Sequence, residues 1–437
     1  MINFKGKKIA VVGFGLEGEA SAKYLKEHGA DVTVLDKKQG EDYLENLNQY
    51  DLVVRSPGVK ISTLAQYVQS EKISSQTKLF FDLCPSKIIG VTGTKGKGTT
   101  ASLIYEMLKK QGIDAYLGGN IGKPPFEFLD KLSPQSVVVL ELSSFQLLDL
   151  EKGPHIAVML MTTSEHLDYH KDVEEYINAK RNILRFQEPD DIAILNRDYP
   201  ATNESDIYTN GRVFYVSTER GVNGEGCYVK DKAVRLYING EEEKIIDSKE
   251  VLLPGRHNLE NVCAAVLAAR LSGVSKANIV SVLKTFKGLE HRLELVSTVK
   301  GVRFFDDSFS TTPETAIAAI QAFKEPEILI LGGSSKNSDF SELGQVISKA
   351  ENIKAIIGIG LEWERIKSKI KNHESRIMVI EGAKDMKTVV AAASKIALPG
   401  DVVLLSPACA SFDMFKNYKD RGEQFKEEVM RLAEIKD

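Results

Sequence analysis

Cysteine is scarce in this chain. Cys84, Cys227, Cys263 and Cys409 are far apart, and no C-x-x-C pair occurs. That excludes the common zinc and dithiol spacings and predicts free thiols in a reducing compartment. An excess of one charge is also lacking: 57 Lys and Arg stand against 61 Asp and Glu, a net charge of −4. Nucleic-acid binders carry a basic bias, so that class is set aside. No apolar run is long enough to span a bilayer. Met1-Ile2-Asn3-Phe4-Lys5-Gly6 leads straight into a strand pattern, so no secretion signal is expected. Repeats and low-complexity tracts are absent. The expectation is a cytoplasmic protein without membrane or nucleic-acid partners, and a monomer. At 437 residues the chain is too long for one core, and two or three domains are expected.

The feature that is present in strength is Gly90-Val91-Thr92-Gly93-Thr94-Lys95-Gly96-Lys97-Gly98-Thr99-Thr100. It follows the apolar Lys87-Ile88-Ile89 and precedes a helical pattern from Ala101 to Leu108. A glycine-rich loop between strand and helix aims backbone N–H groups and a helix N-terminus at an anion. Lys97 adds a cation, and Thr99 or Thr100 a hydroxyl for Mg²⁺. The triphosphate of ATP is the expected ligand.

Strand and helix patterns alternate throughout, which predicts an α/β fold with doubly wound, mostly parallel sheets. Residues 1–84 read as a Rossmann-like domain. Residues 85–288 read as a central P-loop-type ATPase domain, with an antiparallel insert between about Gly211 and Leu253. Residues 289–437 form a third, Rossmann-like domain. The N-terminal Gly13, Gly15 and Gly18 with Asp36 fit a dinucleotide fingerprint, but the domain is short for a dinucleotide. A nucleotide-diphosphate substrate suits one βαβ half better.

Further polar residues fall at strand ends, where open α/β sheets bind ligands. Glu141 ends an apolar strand and can hold Mg²⁺. His166, in Ser164-Glu165-His166-Leu167-Asp168, follows the next strand. Asn258 and Asn261 share a helix face, suited to a purine edge or to N-capping. Arg292 is a fixed cation for a phosphoryl group, and Asp307-Ser308 follows a strand. Lys180 reads from spacing alone as a surface lysine. No nucleophile–base pair of the hydrolase kind is evident, which fits phosphoryl transfer.

Taken together, Gly93-Thr94-Lys95-Gly96-Lys97, Gly118-Gly119-Asn120-Ile121-Gly122, Glu141-Leu142-Ser143-Ser144-Phe145-Gln146, Glu165-His166-Leu167-Asp168, Gly255-Arg256-His257-Asn258 and His291-Arg292 resemble the Mur ligases. These are the ATP-dependent amide-forming enzymes of peptidoglycan synthesis. The Glu141–Gln146 run and the run from Leu405 to Gly422 resemble the members that add glutamate to UDP-N-acetylmuramoyl-L-alanine. The resemblance implies three domains, for UDP-sugar, ATP and amino acid. It implies an acyl phosphate, attack by the amine of glutamate, and release of ADP and phosphate.

By the same resemblance, Gly93, Thr94, Lys95, Gly96, Lys97, Gly98, Thr99, Asn258, Asn261, Arg292 and Asp307 bind ATP. Thr99, Glu141 and His166 bind two Mg²⁺, and Lys180 is carbamylated. Lys97, Glu141, His166 and Lys180 form the catalytic set. Gly15, Leu16, Glu17, Asp36, Lys37, Asn120 and Ser143 bind the UDP substrate. Lys336, Ser411 and Phe412 receive glutamate.

Two departures stand out. Gly98 takes the place of a Ser or Thr. Phe309, in Asp307-Ser308-Phe309-Ser310-Thr311-Thr312, replaces a lysine of the usual Asp-Ser-Lys-Ala-Thr-Asn. The lost charge-assisted contact is worth about 1.5–3 kcal/mol if unreplaced. D-glutamate is the expected amino acid, with L-glutamate as the alternative. A folylpolyglutamate-type ligase fits poorly, because those enzymes resemble this chain only from the phosphate loop onward. A non-catalytic nucleotide binder fits poorly with the retained Glu141, His166, Lys180, Arg292 and Asp307.

Overall fold

Aliphatic and β-branched runs form the strands, and the segments between them return the chain as helices so that successive strands run parallel. The computed structural model describes residues 2–163, 169–222, 224–335, 338–371 and 377–434. Near the N-terminus, β1 (Lys8–Val12), β2 (Asp31–Leu35), β3 (Leu52–Arg55) and β4 (Ile73–Ser75) make a parallel sheet in the order β2-β1-β3-β4.

The second sheet has nine strands: β5 (Lys87–Thr92), β6 (Ala115–Gly119), β7 (Val137–Glu141), β8 (Ile156–Met159), β9 (Ile192–Asn196), β10 (Arg212–Ser217), β11 (Gly226–Lys230), β12 (Ala233–Ile238) and β13 (Glu241–Asp247). Their order is β13-β12-β11-β10-β9-β8-β5-β7-β6. β5 lies between β7 and β8, so the chain winds away from it in both directions, and its carboxyl end is the switch point. The stretch expected as an antiparallel insert extends this same sheet. β10 and β11 are parallel, and only the β11-β12-β13 edge is antiparallel. Asn239 and Gly240, both at positive φ, close the last hairpin, as a two-residue turn requires.

The third sheet contains β14 (Glu294–Val299), β15 (Val302–Asp306), β16 (Glu327–Gly332), β17 (Ile353–Ile359), β18 (Met378–Ile380) and β19 (Val402–Leu405), ordered β14-β15-β19-β16-β17-β18. All neighbours are parallel except β14 and β15.

The chain forms two compact units. Met1–Val251 with His257–Thr285 make the first, and Leu252–Arg256 with Phe286–Asp437 the second. In the first unit one apolar cluster runs through both sheets. It joins Ile9, Val11 and Leu25 to Phe80, Phe128, Val138 and Leu140. In the second unit, apolar clusters cover the sheet from two sides, one including Leu329, Ile356 and Trp363 and the other Ile330, Ile357 and Phe425. Among the described residues no helix is long and apolar enough to cross a membrane.

Candidate active site

The phosphate loop leaves β5 at Thr92 and enters the helix Lys97–Gln111. Glycine is required at two of its positions. Gly93 has φ +150, and a Cβ there would lie 2.9 Å from that of Leu160. Gly96 has φ +85, and a Cβ would strike the Asn261 side-chain oxygen at 2.1 Å. Gly96 also offers no side chain to cap the helix. Thr94 is buried; its N–H donates to the Met161 carbonyl at 2.6 Å and its hydroxyl meets Tyr176 Oη at 3.1 Å. Lys95 is exposed, Gly98 is buried, and Thr99 is half-buried on the helix's first turn.

Asn261 carries the loop from beneath. Its Oδ1 accepts from Thr100 Oγ1 at 3.4 Å, and its Nδ2 donates to Asn258 Oδ1 at 3.1 Å. Both asparagines are buried. The Thr100 hydroxyl is therefore engaged internally, and Thr99 is the threonine left for a ligand.

Two ammonium groups converge on the loop. Lys97 Nζ donates to the carbonyls of Gly93 and Thr94, each at 3.0 Å, and Lys180 Nζ donates to Gly93 at 2.8 Å. Lys180 is not the surface lysine its spacing suggests: it is 1% exposed and lies 4.7 Å from the Tyr176 ring. The signal was in the sequence. In the helix Val173–Arg185 the buried residues are Tyr176, Ala179, Lys180, Ile183 and Leu184, so Lys180 sits on the apolar stripe.

Glu141, at the end of the neighbouring β7, is buried. Its Oε1 accepts from Asn120 Nδ2 at 3.2 Å. Its Oε2 is buried without a hydrogen-bond partner among the described residues. A buried, unpartnered carboxylate oxygen beside a phosphate loop has the donor chemistry a divalent cation takes. His166 lies outside the described residues.

A second cleft, of about 380 Å³, opens at the carboxyl end of β1. Gly15, Asp36 and Lys37 line it, together with Ser56, Lys60 and Thr63, which the sequence reading did not single out. Asp36 accepts from the Phe14 and Lys38 N–H groups, which hold its carboxyl below the usual carboxylate range. Gly18 is forced by close approach: a Cβ there would lie 2.0 Å from the Gly13 carbonyl.

Leu16, 80% exposed, and Glu17 do not line this cleft. Glu17 instead accepts from Gln146 Nε2 at 2.6 Å, and burial pushes its pKa up to about 7 against that bond. Ser143 caps the short helix Ser144–Leu147 reciprocally with Gln146. The loop of the cleft is held by Arg55. This buried guanidinium reaches the carbonyls of Pro57, Val59 and Phe145, and Asp149 Oδ1 at 3.0 Å.

In the second unit the polar residues gather where β15 and β19 end. Asp307 accepts from the Leu293 N–H at 3.1 Å, from Ser406 Oγ at 2.8 Å, and from Ser310. Burial outweighs those bonds and pushes its pKa up to about 7. Asp306 pairs with His291 Nδ1 at 2.7 Å. Arg421, fully buried, donates to the carbonyls of Ser308, Cys409 and Ala410 and to Ser308 Oγ. Burial lowers its pKa to about 10. It thus ties the loop after β15 to the loop that carries Ser411. Ser411 is buried, and Phe412 is 74% exposed with its N–H donating to Ser334 Oγ at 3.0 Å. Lys336 lies outside the described residues. Arg292 stacks on Phe309, its guanidinium carbon 3.7 Å from the ring centroid.

Residues 91–269 match the Mur ligase middle domain, and residues 291–409 the Mur ligase glutamate ligase domain. Residues 3–68 match the NADPH-binding domain of acetohydroxy acid isomeroreductase. The chain is 39% identical to a UDP-N-acetylmuramoylalanine–D-glutamate ligase of Acetivibrio thermocellus, over 97% of this chain and 96% of that one. It is 37% identical to the enzyme of the same name from Clostridium botulinum strain Langeland, over 98% and 97%. The fold is shared with the MurF ligase of Thermotoga maritima, solved in complex with ADP, at TM-score 0.60 and 18% identity over 98% of this chain and 96% of that one. It is likewise shared with the UDP-N-acetylmuramate-alanine ligase MurC of T. maritima, at TM-score 0.60 and 18% identity over 97% and 99%.

Proposed function

The chain belongs to the Mur ligase family, and on that premise we propose that it joins D-glutamate to UDP-N-acetylmuramoyl-L-alanine at the expense of ATP. The reaction is an amide ligation of peptidoglycan precursor synthesis. The γ-phosphoryl group of ATP passes to the substrate carboxylate. The amine of glutamate attacks the acyl phosphate, and phosphate leaves as the amide forms. Little covalent work falls to the protein, so positioning and charge supply the rate.

The observation that carries this reading is the convergence of Lys97 and Lys180 on the Gly93 carbonyl, beside the unpartnered Glu141 oxygen. In this reading Lys97 and the loop from Gly93 to Thr99 hold the phosphates, with Asn258 and Asn261 bracing the loop. Arg292 and Asp307 serve the same nucleotide. Thr99, Glu141 and His166 hold Mg²⁺, and Lys180, as its carbamate, helps to place it. Bound Mg²⁺ offsets the negative charge of the phosphates. The cleft at Gly15, Asp36 and Lys37 takes the uridine diphosphate, with Asn120 and Ser143 toward the sugar, while Leu16 and Glu17 serve the same substrate from outside the cleft lining. Lys336, Ser411 and Phe412 receive glutamate. Segments 1–84, 85–288 and 289–437 correspond to these three ligands. We place the enzyme in the cytoplasm as a monomer.

The test is phosphate release with Mg-ATP and UDP-N-acetylmuramoyl-L-alanine, with D-glutamate and L-glutamate compared side by side. Turnover with D-glutamate is the expected result. Turnover with L-glutamate alone would reassign the stereochemistry of the pocket, and no turnover with either would overturn the reading.

A further inference from the structure

We propose that Arg55 and Tyr169 are positioning residues that clamp the rim of the nucleotide cleft to the surroundings of the phosphate loop, and so set the spacing between the UDP substrate and ATP. The proposal rests on the function reading above.

The two residues cross in opposite directions. Arg55 ends β3, on the cleft side, and is buried. Its Nη1 donates to the carbonyls of Pro57 and Val59, each at 3.3 Å. Its Nη2 reaches across to the Phe145 carbonyl at 2.8 Å and to Asp149 Oδ1 at 3.0 Å. Tyr169 lies between β8 and the helix Val173–Arg185 that carries Lys180. Its hydroxyl returns to the same Pro57 and Val59 carbonyls, at 3.3 and 3.4 Å, with its one proton shared between them. Its ring packs on Phe145, with centroids 4.3 Å apart, and the Lys60 ammonium lies 5.0 Å from its centroid. Two donors from different segments thus hold one loop. Ser56, Gly58, Val59 and Lys60 of that loop line the cleft. The loop is also fixed to the opposite wall, where Ser56 Oγ donates to the Gly13 carbonyl at 2.7 Å.

From Tyr169 the contacts run on to the phosphate loop. The next residue, His170, is buried and meets the Tyr176 ring edge-on, with centroids 5.4 Å apart and planes at 71°. Tyr176 Oη meets Thr94 Oγ1 at 3.1 Å. Cleft rim and phosphate loop are therefore joined by a short series of packed side chains within one compact unit. Apolar contacts would join the two sheets at less cost than a buried ion pair. The guanidinium fork adds direction, because it donates along several fixed lines at once, whereas an ammonium acts as a point charge. Transfer between two separately bound molecules needs such control: a misplacement of about 1 Å can cost about 10²-fold in rate.

The experiment combines calorimetry with UDP-N-acetylmuramoyl-L-alanine and steady-state kinetics, on the full chain and two variants. Tyr169→Phe removes the hydroxyl and keeps the ring on Phe145. We expect kcat to fall about tenfold, with the Kd for the UDP substrate and the KM for ATP within about twofold of wild type. A tie that served stability alone would lower the melting temperature and leave kcat unchanged. Arg55→Lys keeps a positive charge beside Asp149 and loses the fork. It should lose more of kcat than Tyr169→Phe, and should also weaken the UDP substrate about tenfold, because the rim is then released from its own side.

Tyr169→Phe with the kcat of wild type would overturn the proposal, whether or not Arg55→Lys folds. A folded Arg55→Lys with wild-type affinity and kcat would do the same. A wild type that releases no phosphate would overturn the function reading, and this proposal with it.

Discussion

The two compact units use their strand ends in opposite ways. In the first, the loop after β5 is built from glycines, its helix start is uncapped, and two lysines gather on one carbonyl. Its two ammonium groups are held on backbone carbonyls of the loop itself. In the second, most charge is spent on the scaffold. Asp306 holds His291, Asp307 holds two serines and a backbone N–H, and Arg421 holds three carbonyls. An anion site can be made from backbone and flexible cations. A pocket built from several loops needs buried polar ties to fix those loops, because an unpaired buried polar group is costly.

The sharpest way to break this contrast is Lys97→Ala. Turnover should fall by about 10³-fold or more, while calorimetric binding of the UDP substrate stays within about twofold of wild type. Near-normal phosphate release would remove the loop from the chemistry. Next is Arg421→Met, which leaves the carbonyls of Ser308, Cys409 and Ala410 without their donor. A loss of about 3 kcal/mol is expected in denaturant unfolding of the full chain. A variant as stable as wild type would show that Arg421 is not a tie.

The smallest effect is at Glu327, buried at the start of β16, where burial and then the charge of Glu325 push its pKa up to about 9. The folded chain holds a proton there that the unfolded chain releases near pH 4.5. Its contribution therefore weakens folding as pH rises from about 4.5 toward 9. Glu327→Gln should be the more stable protein at pH 8, with the gap closing near pH 5. An equal gap at both pH values would mean that the carboxyl is not neutral in the fold.

The sequence reading and the structure agree best where the chain is locally self-sufficient. β5 and β7 were evident as apolar runs and β1 as a strand pattern. β4, β6, β14 and β18 were not, and all four are sheet-edge strands. β4 and β18 have three residues each, and β6 ends in two glycines. Such strands owe their order to the neighbour they pair with, not to their own pattern. The same holds for single residues. Gly93, Lys97 and Glu141 were identifiable from a contiguous motif or a strand end. Lys180 meets a carbonyl 87 positions away, and Arg421 reaches Ser308 113 positions away.

The sequence by itself therefore determined the strand–loop–helix that cradles an anion, the carboxylate at the next strand end, and the alternation that makes parallel sheets. These follow from residue chemistry over a few positions. Only the tertiary structure decided that the Lys180 ammonium meets the Gly93 carbonyl, that Thr100 is spent on Asn261, and that Arg292 lies on Phe309. Those outcomes depend on which distant segments pack together, and packing is set by the shared core rather than by any one segment's pattern.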